Sequence, residues 1–540
     1  MLNLNGDLTM KYFRFPILLF LFGVSVIRAN EGLLAPDTPL EKVIDHYISK
    51  SWQEKNITPA KNCDDSVWLR RVTLDLNGRI PTLKEAQDFA KDTTANKRQL
   101  AIERLMKSDC YHRHLARELD ITLMAGQRSG LLDYLTKATA QNLSWEKIFK
   151  ELILADDSDA SKKGVSDFLK TRVKDLDRLT NDVSVAFFGI NVSCAQCHDH
   201  PLVADWKQDH FYGMKSFFSR TYEVGDFLAE REYGVVKFLP NKGQEKQANF
   251  MFLTGKTVNP PGLTEPSKEE LKKEKELLEK LKKNKERPPQ AKFSTRALLI
   301  ETALAGKEKE FFARNMVNRV WNRLFGFGLV MPLDQMHSEN PPSHPELIDW
   351  LARDFSANGY DISRLVKGMV SSKLYGLSSR YEGGSVPVSK DFAFARLKPL
   401  LPMQMGVSLK ISNQVVYTGD LEKKFEELER SGRGLADQFP IPGEDFQIGV
   451  TEALFFSNSA RFASEAIPEG TDKLVHAMMA LPSLEDRAEV AVWSVLSRQP
   501  SQDEKTVVAG YLKKHGPDSK DACKQVIWSL VSSPEFRFNY

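Results

Sequence analysis

Cysteine is scarce in this chain: five residues in 540, at Cys63, Cys110, Cys194, Cys197 and Cys523. A fold held by disulfides would carry more of them, in even number. An excess of one charge is also missing. Lysine and arginine total 75 against 72 acidic residues, a net charge of +3, so the basic surface that nucleic acid requires is not indicated. No apolar run beyond the N-terminus is long enough to cross a bilayer. No glycine-rich phosphate loop, nucleophile elbow or His-Glu-x-x-His helix is found, which weighs against the commoner hydrolase and nucleotide-dependent chemistries. Whether the chain is an enzyme stays open on this basis.

What the chain does have is apolar material for packed cores, 41% of residues, with 32 Phe and 8 Trp. At the N-terminus Lys11 and Arg14 precede the apolar run Phe15–Ile27, and Ala29 follows. This is the pattern of a secretory signal peptide over residues 1–29, and it predicts an exported protein of the periplasm or cell surface. No cysteine lies near the cleavage point, which argues against a lipid-modified N-terminus. Membrane attachment is expected only if the signal segment is retained.

The pattern along the rest predicts a mainly α fold: two helical domains separated by a small β-rich insertion and a charged helical linker. Residues 38–220 read as the first helical domain. A stripe of Leu40, Val43, Ile44, Tyr47 and Ile48 marks a helix over 38–55. Val67, Leu69, Val72, Leu74 and Leu76 then alternate or cluster until Gly78 and Pro81. Thr82 stands three residues before Glu85, a capping-box signature. Further helices are predicted at 96–107, 111–124, 144–154 and 178–190. Short apolar runs between Gly, Pro and Asn predict strands over 221–262. Residues 263–290 form the linker, where 267–287 interleave nine basic and six acidic side chains at helical spacing. The second helical domain, 291–540, opens on Phe312, Val317, Val320, Trp321, Leu324 and Phe325. Ser343 is predicted to cap the helix that follows. Later helices are predicted at 362–373, 420–431, 470–480, 485–496, 502–514 and 519–532. A disulfide between Cys63 and Cys110 is compatible with the sequence, and buried thiols are the alternative.

Residues 194–201 read Cys-Ala-Gln-Cys-His-Asp-His-Pro. Cys-x-x-Cys-His is the attachment pattern of haem c: two thiols on one turn bond the porphyrin vinyl groups, and the adjacent imidazole reaches the iron. Cys194, Cys197 and His198 are then the cofactor-binding residues, with His198 the proximal iron ligand. His210 or Met214 is the candidate sixth ligand; His337 and His344 are more distant candidates. Asp199, Asp205 and Asp209 are available to orient a ligating imidazole. Three alternatives stay open. Cys194 and Cys197, with His198, His200 or His210, also suit zinc. A Cys194–Cys197 disulfide is another, and thiols that bind nothing the last. The functional expectation is a c-type cytochrome-like protein that transfers electrons or senses a small ligand, with an unknown redox or cell-surface protein as partner. A structural or interaction protein stapled by zinc or a disulfide is the first alternative. A metal-dependent hydrolase of extracellular polymers, using His198, His200 and an aspartate, is the second.

The run Asn191–Pro201, continued by Trp206, Asp209, Phe211-Tyr212-Gly213 and Phe217-Phe218, resembles the signature of the planctomycete cytochrome-like family of exported proteins, a domain of unknown function. Leu69–Thr82 resembles its opening segment. Residues 311–380, through Phe312–Trp321, Leu324–Gly326 and Asn340–Leu351, resemble the surface-protein domain of unknown function that usually follows it. Ser533–Asn539 also fits. The resemblance implies a haem-carrying exported protein but transfers no catalytic residues. Asn315, Asn318, Arg319, Trp321 and Arg323 recur as polar or aromatic positions on one helix, compatible either with a binding role or with side chains that bond buried carboxylates and loops.

Overall fold

The computed structural model describes residues 33–127, 129–156, 159–199, 203–241, 243–260, 265–443 and 459–540. Residues 1–29, predicted from sequence as a signal segment, lie outside the described residues. Among those described, no helix is long and apolar enough to cross a membrane. Among the described residues the fold is mainly α, with only two-stranded sheets.

The helix Leu40–Glu54 buries the stripe read from sequence. Asp65–Asn77 is a helix buried on nearly every side, so its apolar residues follow no single stripe. Gly78, at φ 64°, ends it in the left-handed conformation that glycine adopts without a Cβ penalty. The Thr82–Glu85 capping box forms and starts Leu83–Lys91. Lys97–Met106, Asp109–Met124, Trp145–Leu154 and Leu176–Phe188 fall where periodicity places them. Among the helices of nine or more residues, Leu131–Ala140, Gln208–Ser216, Thr295–Ala303 and Pro402–Ser412 have no counterpart in the sequence reading. Two of these carry an interior glycine, which lowers helix propensity but is demanded by packing. A Cβ on Gly213 would lie 2.5 Å from that of Met251, and one on Gly406 would lie 2.4 Å from the Gly432 carbonyl oxygen. One cap is also corrected. Pro345–Ala357 is preceded by His344 at the N-cap without a side-chain cap, because Pro345 occupies the first helical position and moves the boundary past Ser343.

The insertion is three antiparallel ladders: Thr221–Val224 with Phe227–Glu230, Lys237–Phe238 with Lys246–Gln247, and Phe250–Met251 with Thr257–Val258. Val236, Phe238 and Ala248 form a small apolar cluster against Tyr212. The charged segment is the helix Lys268–Asn284, started by a Ser267–Glu270 capping box. Glu274 ties it to Arg231 and Tyr233 of the insertion.

Two large apolar cores are formed by the described residues. The first is shared across the charged helix: Trp145 stacks on both Phe187 and Phe312, Phe149 meets Phe312 at a tilt, and Phe312 meets Tyr360 edge-on. The second joins Leu74, Ile80 and Cys110 to residues between Leu400 and Phe536. Cys63 belongs to the first core and Cys110 to the second, and both are free thiols; the disulfide considered between them is not formed. At the junction of the cores, the Asp75 carboxylate accepts from Lys398 Nζ at 2.7 and 2.8 Å, Tyr375 Oη at 2.7 Å and Asn539 Nδ2 at 2.8 Å. Strand Lys398–Pro399 pairs with Phe538–Asn539, which brings the C-terminal end to this point.

Candidate functional site

The cysteine cluster begins with the end of the Leu176–Phe188 helix. The last carbonyls of any helix lack intrahelical partners. Here Asn315 Nδ2 donates to the Ala186 carbonyl at 2.7 Å, and Arg319 Nη2 donates to that of Val185 at 2.8 Å. Arg319 Nε holds Asn315 Oδ1 at 2.9 Å, so the two side chains act as one clasp. Burial pushes the Arg319 guanidinium down to about 10, opposed by the Asp334 carboxylate, and it stays cationic at neutral pH. A cation at a helix C-terminus is favourably placed against the helix dipole.

Gly189 follows at φ 70°. A Cβ there would meet Asn315 Oδ1 at 2.9 Å and the Met336 sulfur at 3.0 Å. Gly189→Ala is therefore expected to cost about 2 kcal/mol, from left-handed strain and the close approach together; chemical denaturation measures it. A cost under a few tenths of a kcal/mol would contradict the clasp geometry. The chain then runs beside 334–336: Met336 N–H donates to the Gly189 carbonyl, Ile190 bridges Gln335, and Asn191 binds Asp334 through backbone and side chain.

Asn191 Oδ1 accepts from the backbone and hydroxyl of Ser193, an Asx-type turn that opens the short 3₁₀ helix Ser193–Gln196. Ala195 is buried in the first core and pins the turn, whereas Cys194, Cys197 and His198 are exposed. From the other side, the Gln196 carbonyl accepts from Tyr212 Oη at 3.1 Å and Gln208 Nε2 at 3.3 Å, and Gln196 Nε2 donates to Asp177 at 2.9 Å. Burial raises the Tyr212 hydroxyl pKa, with smaller contributions from Asp177 and Cys197. Tyr212 also stacks on Phe238, centroids 4.1 Å apart, which links the insertion to the turn. Sequence reasoning missed Gln208, Tyr212 and Asp177. The resemblance marked Tyr212 within its motif, but nothing local gave it a partner.

The histidines differ in their protons. His198 Nδ1 lies 2.7 Å from the Asp199 carbonyl oxygen, which can only accept. Nδ1 therefore carries the hydrogen and Nε2 of the neutral ring presents a bare lone pair. His210 is the reverse: its Nδ1 accepts from Lys207 N–H at 3.1 Å, which places the hydrogen on Nε2. Burial lowers its pKa, opposed by Asp209. Met214 is fully buried in the first core, so a role as sixth ligand would require that core to open. His337 Nε2 contacts Gln335 Oε1 at 3.2 Å, beside the segment that holds the loop. His344 is buried against Phe392. His200 lies outside the described residues.

The aspartates near the turn are engaged. Asp199 accepts from Gln208 N–H at 3.0 Å, Asp205 from Ser338 N–H at 2.9 Å, and Asp209 pairs with Lys246 at 2.7 Å. Among the described residues, no three His, Cys, Asp or Glu side chains are grouped to hold a metal ion. For haem the donor set fits: two exposed thiols on one short turn, followed by an imidazole with a free Nε2. The polar motif of the second segment is structural. Besides the Asn315–Arg319 clasp, Asn318 exchanges two bonds with Val330, and Arg323 pairs with Glu118.

Comparison with curated proteins and with solved structures returns no match. Residues 43–223, which include the cysteine turn, match the family model PSCyt2, a protein of unknown function (DUF1549). The segment that clasps the turn, residues 296–400, matches PSD1, a protein of unknown function (DUF1553), so the chain carries similarity to these two families in that order.

Proposed function

We propose that this chain is an exported cytochrome-like protein in which Cys194 and Cys197 hold a covalent haem c and His198 Nε2 is the proximal ligand. The observation that carries this reading is the 2.7 Å contact of His198 Nδ1 with the Asp199 carbonyl, which frees Nε2 on an exposed, braced turn. Bound haem supplies one-electron chemistry or a site for a small ligand. The chain's own residues supply attachment and orientation. Ala195 anchors the turn below, while Tyr212 and Gln208 fix its backbone at the Gln196 carbonyl. Export, inferred from the signal pattern, would place the thiols where haem is attached. The two alternatives use the same turn: a zinc staple, with Cys194 and Cys197 standing here as free thiols rather than as the disulfide also considered, and a metal-dependent hydrolase that would need His200.

The test is expression in a periplasm with haem-maturation machinery, followed by a pyridine haemochrome spectrum. A c-type α-band is expected, and Cys194→Ala/Cys197→Ala should abolish it. Because both thiols are exposed, the double variant should unfold within about 0.5 kcal/mol of the parent. A folded, haem-free parent overturns the reading, and zinc analysis with thiol titration of that sample then separates a metal staple from a disulfide.

A further inference from the structure

We propose that Arg319, with Asn315, is a positioning residue for the cysteine turn: the second segment sets where Cys194 and Cys197 stand. The inference rests on the reading of that turn as the working site, but not on which group it carries. The hydrogen bonds Arg319 makes are to the Val185 carbonyl and to Asn315, whose amide holds the Ala186 carbonyl. Neither contact reaches the second core. Both fall on the last turn of the helix from which the chain passes, within eight residues, to Cys194. Beyond the clasp, the Asp334 carboxylate and backbone fasten Asn191, whose Oδ1 opens the 3₁₀ turn. Contacts from 315 to 336 thus define the path from helix end to thiols.

Without the clasp, the Ala186 carbonyl loses the Asn315 donor, the Val185 carbonyl keeps only Gly189 N–H, and the Gly189–Asn191 link loses one of its two anchors. The expected consequence is local opening of the turn rather than global unfolding. The experiment uses the full-length chain without haem. It reads alkylation rates of Cys194 and Cys197 by iodoacetamide across pH 6–9, resolved by mass spectrometry, with amide exchange over 186–199. Arg319→Met is expected to raise exchange in that stretch at least tenfold and to change the alkylation rate of the pair by a similar factor. Exchange in the 484–531 helices should stay unchanged. Arg319→Lys, which restores a cationic donor at the helix end, should recover most of the effect. Unchanged alkylation and exchange in a folded Arg319→Met protein overturns the proposal, as does failure of the lysine variant to rescue. If Arg319→Met does not fold, Asp334→Ala removes the side-chain half of the second anchor, leaving its backbone bond to Asn191, and must raise exchange at 190–193 by the same criterion. Haemochrome yield is read separately, so a chain that takes no haem leaves the thiol result intact.

Discussion

Asp75→Ala is expected to destabilise the protein by about 3–5 kcal/mol, the range for removing one partner from a buried ion pair. Asp75 is 5% exposed and carries the only carboxylate described as bonded to Lys398 Nζ. Burial lowers the Lys398 pKa and Asp75 opposes that shift, so truncation leaves an ammonium held by the Arg323 and Leu324 carbonyls alone. Tyr375 Oη and Asn539 Nδ2 lose their acceptor in the same step. Three separate parts of the chain meet at this carboxylate, so the loss falls on the junction of the two cores. Urea unfolding at pH 7 measures it. Lys398→Met alone should cost less, because Asp75 keeps two neutral donors. The double variant should fall short of the sum by a coupling of about 1–3 kcal/mol. A cost below about 1 kcal/mol for Asp75→Ala, or an additive cycle, would show that the junction is held by apolar packing instead.

That hub marks the limit of what local pattern reveals. The Thr82–Glu85 cap, the Leu40–Ile48 stripe and the interleaved charges of Lys268–Asn284 each depend on residues within a turn or two, and each was readable. Asp75 looked like one polar residue in an apolar run, because Lys398, Tyr375 and Asn539 lie hundreds of residues away. Gln208–Ser216 escaped notice because Gly213 answers to Met251 across the insertion rather than to helix propensity. At the candidate site, the identity of Cys194, Cys197 and His198 was legible from spacing. Their presentation was not. The free Nε2 of His198 follows from a single backbone carbonyl, and the position of the turn from Asn315 and Arg319. Those two residues sat in a motif whose binding and structural readings were indistinguishable by sequence.

The second large effect is on acid stability, and His344 carries it. Burial, aided by Lys55 and opposed by Asp391, lowers its imidazole from 6.5 to about 4. Its Nδ1 lies 3.1 Å from Ser343 Oγ, and Phe392 packs against the ring at 5.6 Å. The Lys55–Asp391 pair, 2.7 Å apart, is the charged neighbour. The unfolded chain takes up a proton near 6.5 and the folded chain only near 4. The free energy of unfolding therefore falls as pH drops through that window, by on the order of 3 kcal/mol if the whole shift is expressed. Asp120 works in the opposite direction: burial alone raises it from 3.8 to about 6, so protonation favours the folded state as pH falls across that range. The net profile mixes both, and variants separate them. Urea unfolding at steps between pH 7 and 4 should show the parent losing about 3 kcal/mol relative to His344→Gln, with the divergence beginning near 6.5. Asp120→Asn should make the parent's acid loss steeper, because the opposing group is gone. Parallel profiles for the parent and His344→Gln would exclude His344 as the source. A smaller loss that levels off near pH 5 rather than 4 would mean instead that the folded imidazole reaches solvent, and that Pro345–Ala357 opens at its N-terminus before the cores do.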